Sequence, residues 1–200
     1  MSLGCNPLRI PSTSVGRGLA KVSLDLDSLS ASFLADAVDF FDETRERCWK
    51  WPNLKSLALT SGLLRPGGNP TMLDDMLRAA AVTAMEMPKL EIMELWNGLE
   101  DLAMLVTYRR AQLRRPAAIE WKGTWEMTLR DPVIEAWDDV ALRHGGEACI
   151  VVGELVVADA PIRSHADAIR LLGLSRSVIR PVSLRQILRE HTIREEMEHQ

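Results

Sequence analysis

The sequence predicts an α/β protein, a short leucine-rich-repeat-like curved sheet of about five to seven strands with helices on its outer side. Three observations carry this reading. A segment of the form Leu-x-x-apolar-x-Leu occurs three times at near-equal spacing. The stretches between the copies have helical periodicity. The second half keeps alternating strand-like and helix-like segments, with no linker or low-complexity tract to divide it.

The three copies are Leu19-Ala-Lys-Val22-Ser-Leu24, Leu54-Lys-Ser-Leu57-Ala-Leu59 and Leu90-Glu-Ile-Met93-Glu-Leu95, starting 35 and 36 residues apart. The latter two also share a preceding Pro-x, Pro52-Asn53 and Pro88-Lys89. In a repeat scaffold each strand sends alternate side chains into a shared core, and a helix returns the chain to the next strand. The spacing here exceeds the usual repeat length of about 20–29 residues, which calls for long return helices.

The elements follow in order. Residues 1–18 read as a disordered leader, rich in Ser and Arg and free of acids, and residues 19–200 as one domain. After the first copy, Phe33, Ala37, Phe40 and Phe41 fall on one helical face. After the second, Gly and Pro mark a loop, and Met72, Leu73, Met76, Leu77, Ala80 and Ala84 form the buried stripe of a helix that Pro88 ends. "LAMLVTYRR" and "AAIEWKGTW" read as two strands around a loop. Asp131-Pro132 opens a helix with Val133, Trp137, Val140 and Ala141 inward. "ACIVVGELVV" is a strand, Ser164 to Asp167 is a capping-box variant opening a helix that Gly173 stops, and Ser183 with Gln186 caps a last helix.

Composition narrows the function classes. Hydrophobic residues make up 46% and charged residues 26% of the 200, which supports a packed core. A net charge of −4 argues against nucleic acid as the main partner, because phosphate binding needs a basic footprint. No apolar run approaches a membrane span. Cys5, Cys48 and Cys149 lie far apart without a CxxC pair, which fits a reducing compartment and a cytoplasmic or nuclear location.

Several groups invite a chemical reading. Asp25 and Asp27 after one apolar segment, with Thr60 and Ser61 after another, echo the first two motifs of haloacid-dehalogenase-type phosphatases, and Asp138-Asp139 would be their metal ligands. The expected turn after the second Asp is missing, and Asp138-Asp139 falls within a helical pattern. Asp39-Phe-Phe-Asp42-Glu43 has the acidic spacing of prenyl-diphosphate enzymes, but no second cluster accompanies it. Ser164-His165-x-Asp167 contains hydrolase residue types, yet Ser and Asp there have capping work. His144, His191 and His199 show no metal-ligand spacing. No catalytic residue, metal or cofactor is assigned, and the sequence leans away from an enzyme.

The features left over suit a partner surface. Six Trp residues are many beside one Tyr and three Phe; packing explains most of them, and Trp is also enriched at binding hot spots. Arg109, Arg110, Arg114 and Arg115 form a basic cluster that an acidic partner would suit.

The phrases "WPNLKSLALTSGLL", "AAAVTAMEMPKLEIMELWNG", "IEWKGTW", "IRSHADAI" and "VIRPVSLRQI" resemble a family of filamentous-fungal F-box-like proteins, over roughly residues 19 to 190. The resemblance implies the C-terminal, substrate-holding repeat domain of such a protein. Nothing before residue 19 is expected to form the F-box. The resulting expectation is a protein-binding adaptor domain whose exposed strand face is lined by Ser56, Ala58, Thr60, Ile92, Glu94 and Trp96. The alternative is an enzyme or accessory protein of a fungal secondary-metabolite pathway.

Overall fold

The computed structural model describes residues 13–45, 49–158, 161–175 and 185. Its elements are α1 (Thr13–Val22), a 3-10 turn (Ser23–Asp25), β1 (Ser28–Asp36), α2 (Ala37–Arg45), β2 (Ser56–Thr60), α3 (Pro70–Met85), β3 (Ile92–Leu99), β4 (Leu102–Arg109), β5 (Ala118–Gly123), α4 (Asp131–Arg143), β6 (Ile150–Leu155) and α5 (His165–Leu172). The α/β class stands. The six strands form one sheet in chain order. β1, β2 and β3 are parallel, β4 is antiparallel to both of its neighbours, and β6 runs parallel to β5.

The second and third copies of the motif are strands in register: Leu57 lies beside Met93 and Leu59 beside Leu95. Their inward side chains join Phe40, Phe41, Leu77, Ala80, Val133 and Trp137 in the main core, which α1, α2, α3 and α4 cover from one side. Leu54 and Leu90, which follow the two Pro-x pairs, are both fully buried there. Parallel strands need helical crossovers, and here α2 and α3 supply them.

The first copy is not a strand. Leu19 to Val22 belongs to α1, and Ser23 and Leu24 to the 3-10 turn. The helix buries Gly16 and Ala20, and the turn that follows buries Ser23, spaced i, i+4, i+7, while Val22 is exposed. A Cβ on Gly16 would lie 2.6 Å from Asp39 Cβ, so α1 rests directly on α2. Small residues carry a weak apolar signal, which is why the leucines suggested a strand instead. α1 also crosses the expected boundary at residue 18, so 13–18 is helix rather than leader. The strand beside β2 is β1, within the stretch read as helix. Its partner residues Leu29 and Leu57 are 28 positions apart, against 36 between Leu57 and Met93, so the repeat is irregular.

β1 is interrupted between Ala31 and Asp36, where its register with β2 shifts. Phe33 there has φ 61°, a left-handed conformation that costs a non-glycine residue energy. Two contacts hold it. Its N–H donates to Thr60 Oγ1 at 2.8 Å, and its ring stands edge-on to Trp96 with centroids 5.1 Å apart.

α5 lies on the opposite side of the sheet from the other four helices. Its Ala168, Ile169 and Leu172 pack with Trp96, Ala103, Leu105 and Ile162 in a second, smaller core. The capping box is present: Ser164 Oγ accepts from Asp167 N, and the Asp167 carboxylate accepts from Ser164 N. α4 begins one residue earlier than read, with Arg130 as N-cap. The last predicted helix, from Ser183, lies outside the described residues apart from Arg185, which is helical.

Gly98 is what lets α5 come so close. A Cβ at that position would lie 2.5 Å from the Ala168 methyl carbon. Gly98→Ala is therefore expected to lift α5 and to destabilise the fold by about 1–3 kcal/mol through overpacking. Urea denaturation followed by Trp fluorescence checks this; an unchanged midpoint would mean that α5 does not sit against Gly98.

Candidate functional site

The strand face expected to bind a partner is covered. Ser56, Ala58, Thr60, Ile92, Glu94 and Trp96 do share one side of the sheet, facing away from the main core, as the alternation of side chains requires. Their exposure differs from expectation. Trp96 and Glu94 are 0% exposed, Ala58 and Thr60 are buried, and only Ser56 and Ile92 are partly accessible. Trp96 Nε1 donates to Ser32 Oγ at 3.2 Å, and α5 packs over its ring. Glu94 accepts from Ser175 N at 2.9 Å and from Ser175 Oγ at 2.5 Å, tying down the chain that leaves α5. Strand alternation gives the side of a residue but not what lies across from it.

The phosphatase groups do not meet. Asp25 and Asp27 precede β1, whereas Thr60 and Ser61 end the parallel strand β2. Ser28 pairs with Ser56 at the start of that strand, so the length of β2, about 13 Å at 3.3 Å per residue, separates the two sets. The donors at "TSG" are also committed. Ser61 Oγ and Gly62 N donate to the Asp36 carboxylate at 3.0 and 2.8 Å. Asp36 thus fills the place a phosphate would need, and the Thr-Ser-Gly stop is a strand end. Asp138 accepts from Cys149 N at 2.7 Å, a structural task within the α4–β6 connection. Asp39 lies against α1, and burial, then Asp36 and Asp42, raise its pKa. Among the described residues no cluster of His, Cys, Asp or Glu could hold a metal ion. His165 lies against the Phe33 ring, centroids 4.0 Å apart. Burial and the nearby Asp138 push the Cys149 thiol up to about 12, which removes its nucleophilic form at neutral pH.

Among the described residues, a basic surface lies at the other end of the sheet. β2 and β3 begin there, β4 ends there, and the C-termini of α3 and α4 arrive there. Two hollows of about 360 and 490 Å³ share Pro88 and Arg110 as a common wall. Lys50, Lys55, Lys89, Arg110 and Arg143 line them, against Glu86 and Glu91. A chain of net charge −4 therefore concentrates positive charge in one cleft.

Two forces build this cleft. Helix C-termini carry partial negative charge, and cations settle against them. Arg110 does this at α4, donating to the carbonyl of its C-cap His144 at 2.8 Å, and it also donates to the Pro88 carbonyl in the chain beyond α3 at 2.6 Å. The two Pro-x pairs supply the second. Lys89 Nζ donates to Asn53 Oδ1 at 2.8 Å, joining equivalent positions of the two regular repeats. Trp51 N donates to the Glu86 carbonyl beside them. The sequence did signal this site, through the shared Pro-x pairs and Arg110. Of the other arginines, Arg109 pairs with Glu120, and Arg114 and Arg115 lie on the exposed β4–β5 loop beside the fully exposed Leu113.

His144 lies on the inner wall. Its Nδ1 is 3.4 Å from the Tyr108 hydroxyl, and its buried Nε2 makes no hydrogen bond of good geometry. Burial lowers its pKa first, and Arg110 adds to this, with the Ala84 carbonyl acting the other way. Burial likewise raises the Tyr108 pKa. Tyr108 itself stacks on Trp137 at 4.8 Å.

A model for a family of unknown function, DUF6546, matches residues 1–180, and the chain belongs to that family. Comparison with curated proteins and with solved structures finds no match. Among the described residues no helix is long and apolar enough to cross a membrane.

Two outcomes follow from these contacts. Trp96→Ala empties a buried site and is expected to cost about 3–5 kcal/mol, so it reports on folding rather than on a binding face; thermal melting measures it. His144 has a folded pKa below its ordinary value of 6.5, so the unfolded chain binds the proton more readily. The stability it contributes is present above that ordinary value and is lost as pH falls towards the depressed one. Urea midpoints across this range are expected to fall less steeply in His144→Gln than in the native chain; parallel curves would refute the assignment.

Proposed function

We propose that this chain is a protein-binding module, an adaptor domain of the F-box-like kind, and that it takes an acidic segment of its partner in the cleft around Arg110. The single observation that carries this is the gathering of five basic side chains on two adjoining hollows of an acidic molecule. Charge of one sign in a concave surface steers an oppositely charged partner and fixes its orientation. The exposed Leu113 on the adjoining loop offers an apolar contact beside the charge. The enzyme reading has less support, because the groups proposed for phosphate chemistry stand at opposite ends of β2.

The test uses the full chain, immobilised and exposed to a fungal lysate, with bound proteins identified by mass spectrometry and then purified. Lys50→Glu combined with Lys55→Glu changes two exposed side chains that line the hollows, and such changes usually alter stability by no more than about 0.5 kcal/mol each. A partner that crosslinks to the cleft through an acidic segment, and that binds the double variant at least about tenfold more weakly, is the expected result. A partner indifferent to the charge reversal and to added salt would overturn the proposal, as would failure of the folded chain to retain any protein.

A further inference from the structure

β6 closes the sheet with an edge that the other described residues leave uncovered. All six of its residues, Ile150–Leu155, are exposed, and among the described residues only β5 pairs with it. Ile150, Val151, Val152 and Leu155 are large and apolar. Natural edge strands are usually blunted by charge, proline or a bulge. β1, at the other edge, has its register break and left-handed Phe33. β6 is regular throughout, and its single charge, Glu154, is paired back to Lys122 at 3.3 Å.

The backbone groups on this edge have a definite pattern. Ile150 N donates to the Ala117 carbonyl at 2.9 Å, and Val156 N to the Gly123 carbonyl at 2.8 Å. Bonding sides alternate along a strand, so Ile150, Val152 and Glu154 bond towards β5. Val151, Gly153 and Leu155 therefore turn both N–H and C=O outwards.

That pattern is self-complementary. We propose that β6 is a homodimer interface, in which two copies pair antiparallel about a two-fold axis at Gly153 and join their sheets into one. In this register Gly153 meets Gly153, and Val151 of one copy meets Leu155 of the other. Every outward group then finds a partner, and apolar side chains face each other. Glu154 lies opposite Val152, so the carboxylates stay apart. A shift of the pairing centre to Glu154 sets the two carboxylates directly opposite. A shift to Val152 sets Leu155 against Cys149, whose amide is already bonded to Asp138. An isologous pairing of this kind closes at two copies. The edge offers a foreign charged peptide almost nothing, which favours a second copy as the occupant. This inference is independent of the cleft.

Light scattering and sedimentation equilibrium of the full chain test it, with a dimer as the expected state. Val151→Pro removes an outward N–H and leaves the β5 ladder intact, as proline on an edge strand can. It is expected to give a monomer with the native circular dichroism. Should that variant misfold, the double change Val151→Lys, Leu155→Lys is expected to give a monomer by repulsion. Mixing it with Val151→Glu, Leu155→Glu should restore a one-to-one dimer, because the two positions face each other only in this register. A native chain that stays monomeric at its highest soluble concentration overturns the proposal. So does a dimer that survives the lysine pair, or a mixture that fails to associate.

Discussion

The register between β2 and β3 is the constraint on which the rest depends. Leu57 beside Met93 and Leu59 beside Leu95 put four apolar side chains on the face that the first four helices cover. The same register puts Ala58 beside Glu94 and Thr60 beside Trp96 on the opposite face. A slip of one residue would exchange the two sets and set a carboxylate and an indole against α3. Parallel strands inside an α/β sheet are buried on both sides. The second face must therefore be covered as well, and α5 with the Ser175 contact to Glu94 does this.

Covering both faces moves the accessible surface to the ends and edges of the sheet. The end where β2 stops is filled by Asp36, which takes the donors of Ser61 and Gly62, and α5 lies over Gly98 on the adjoining strand. At the other end, the C-termini of α3 and α4 draw basic side chains to them, and the hollows around Arg110 form between those side chains. The cleft is thus a consequence of helix direction. All crossovers return the chain to the same end of the sheet, so their negative ends gather there.

The irregularities of the first repeat have a packing cause. α1 rests on α2 through Gly16, and Trp51 Nε1 donates to Ser23 Oγ at 2.7 Å, which fastens the 3-10 turn beneath the second repeat. The N-terminal segment therefore serves as a lid on the helical layer, where a further strand had been expected. β1 then supplies the edge strand, with Phe33 turned out of register to meet Trp96.

The sequence by itself determined the α/β class, five of the six described strands, the helix between the Gly- and Pro-rich loop and Pro88, the helices begun at Asp131-Pro132 and Ser164, and the side of the sheet on which each residue of β2 and β3 lies; that Asn69 caps the first of these helices came from the structure. These are local properties: two-fold alternation, helical spacing and capping chemistry are complete within ten or so residues. It also held the Pro-x pairs and Arg110 that meet in the cleft. Only the tertiary structure decided that Trp96 and Glu94 are buried, that Leu19–Leu24 is helix and turn, and that Asp25 and Ser61 stand at opposite ends of a strand. Each depends on a partner distant in the chain: Ala168 against Gly98, Asp39 against Gly16, Asp36 against Ser61. Periodicity along one segment carries no information about which other segment will come to lie upon it.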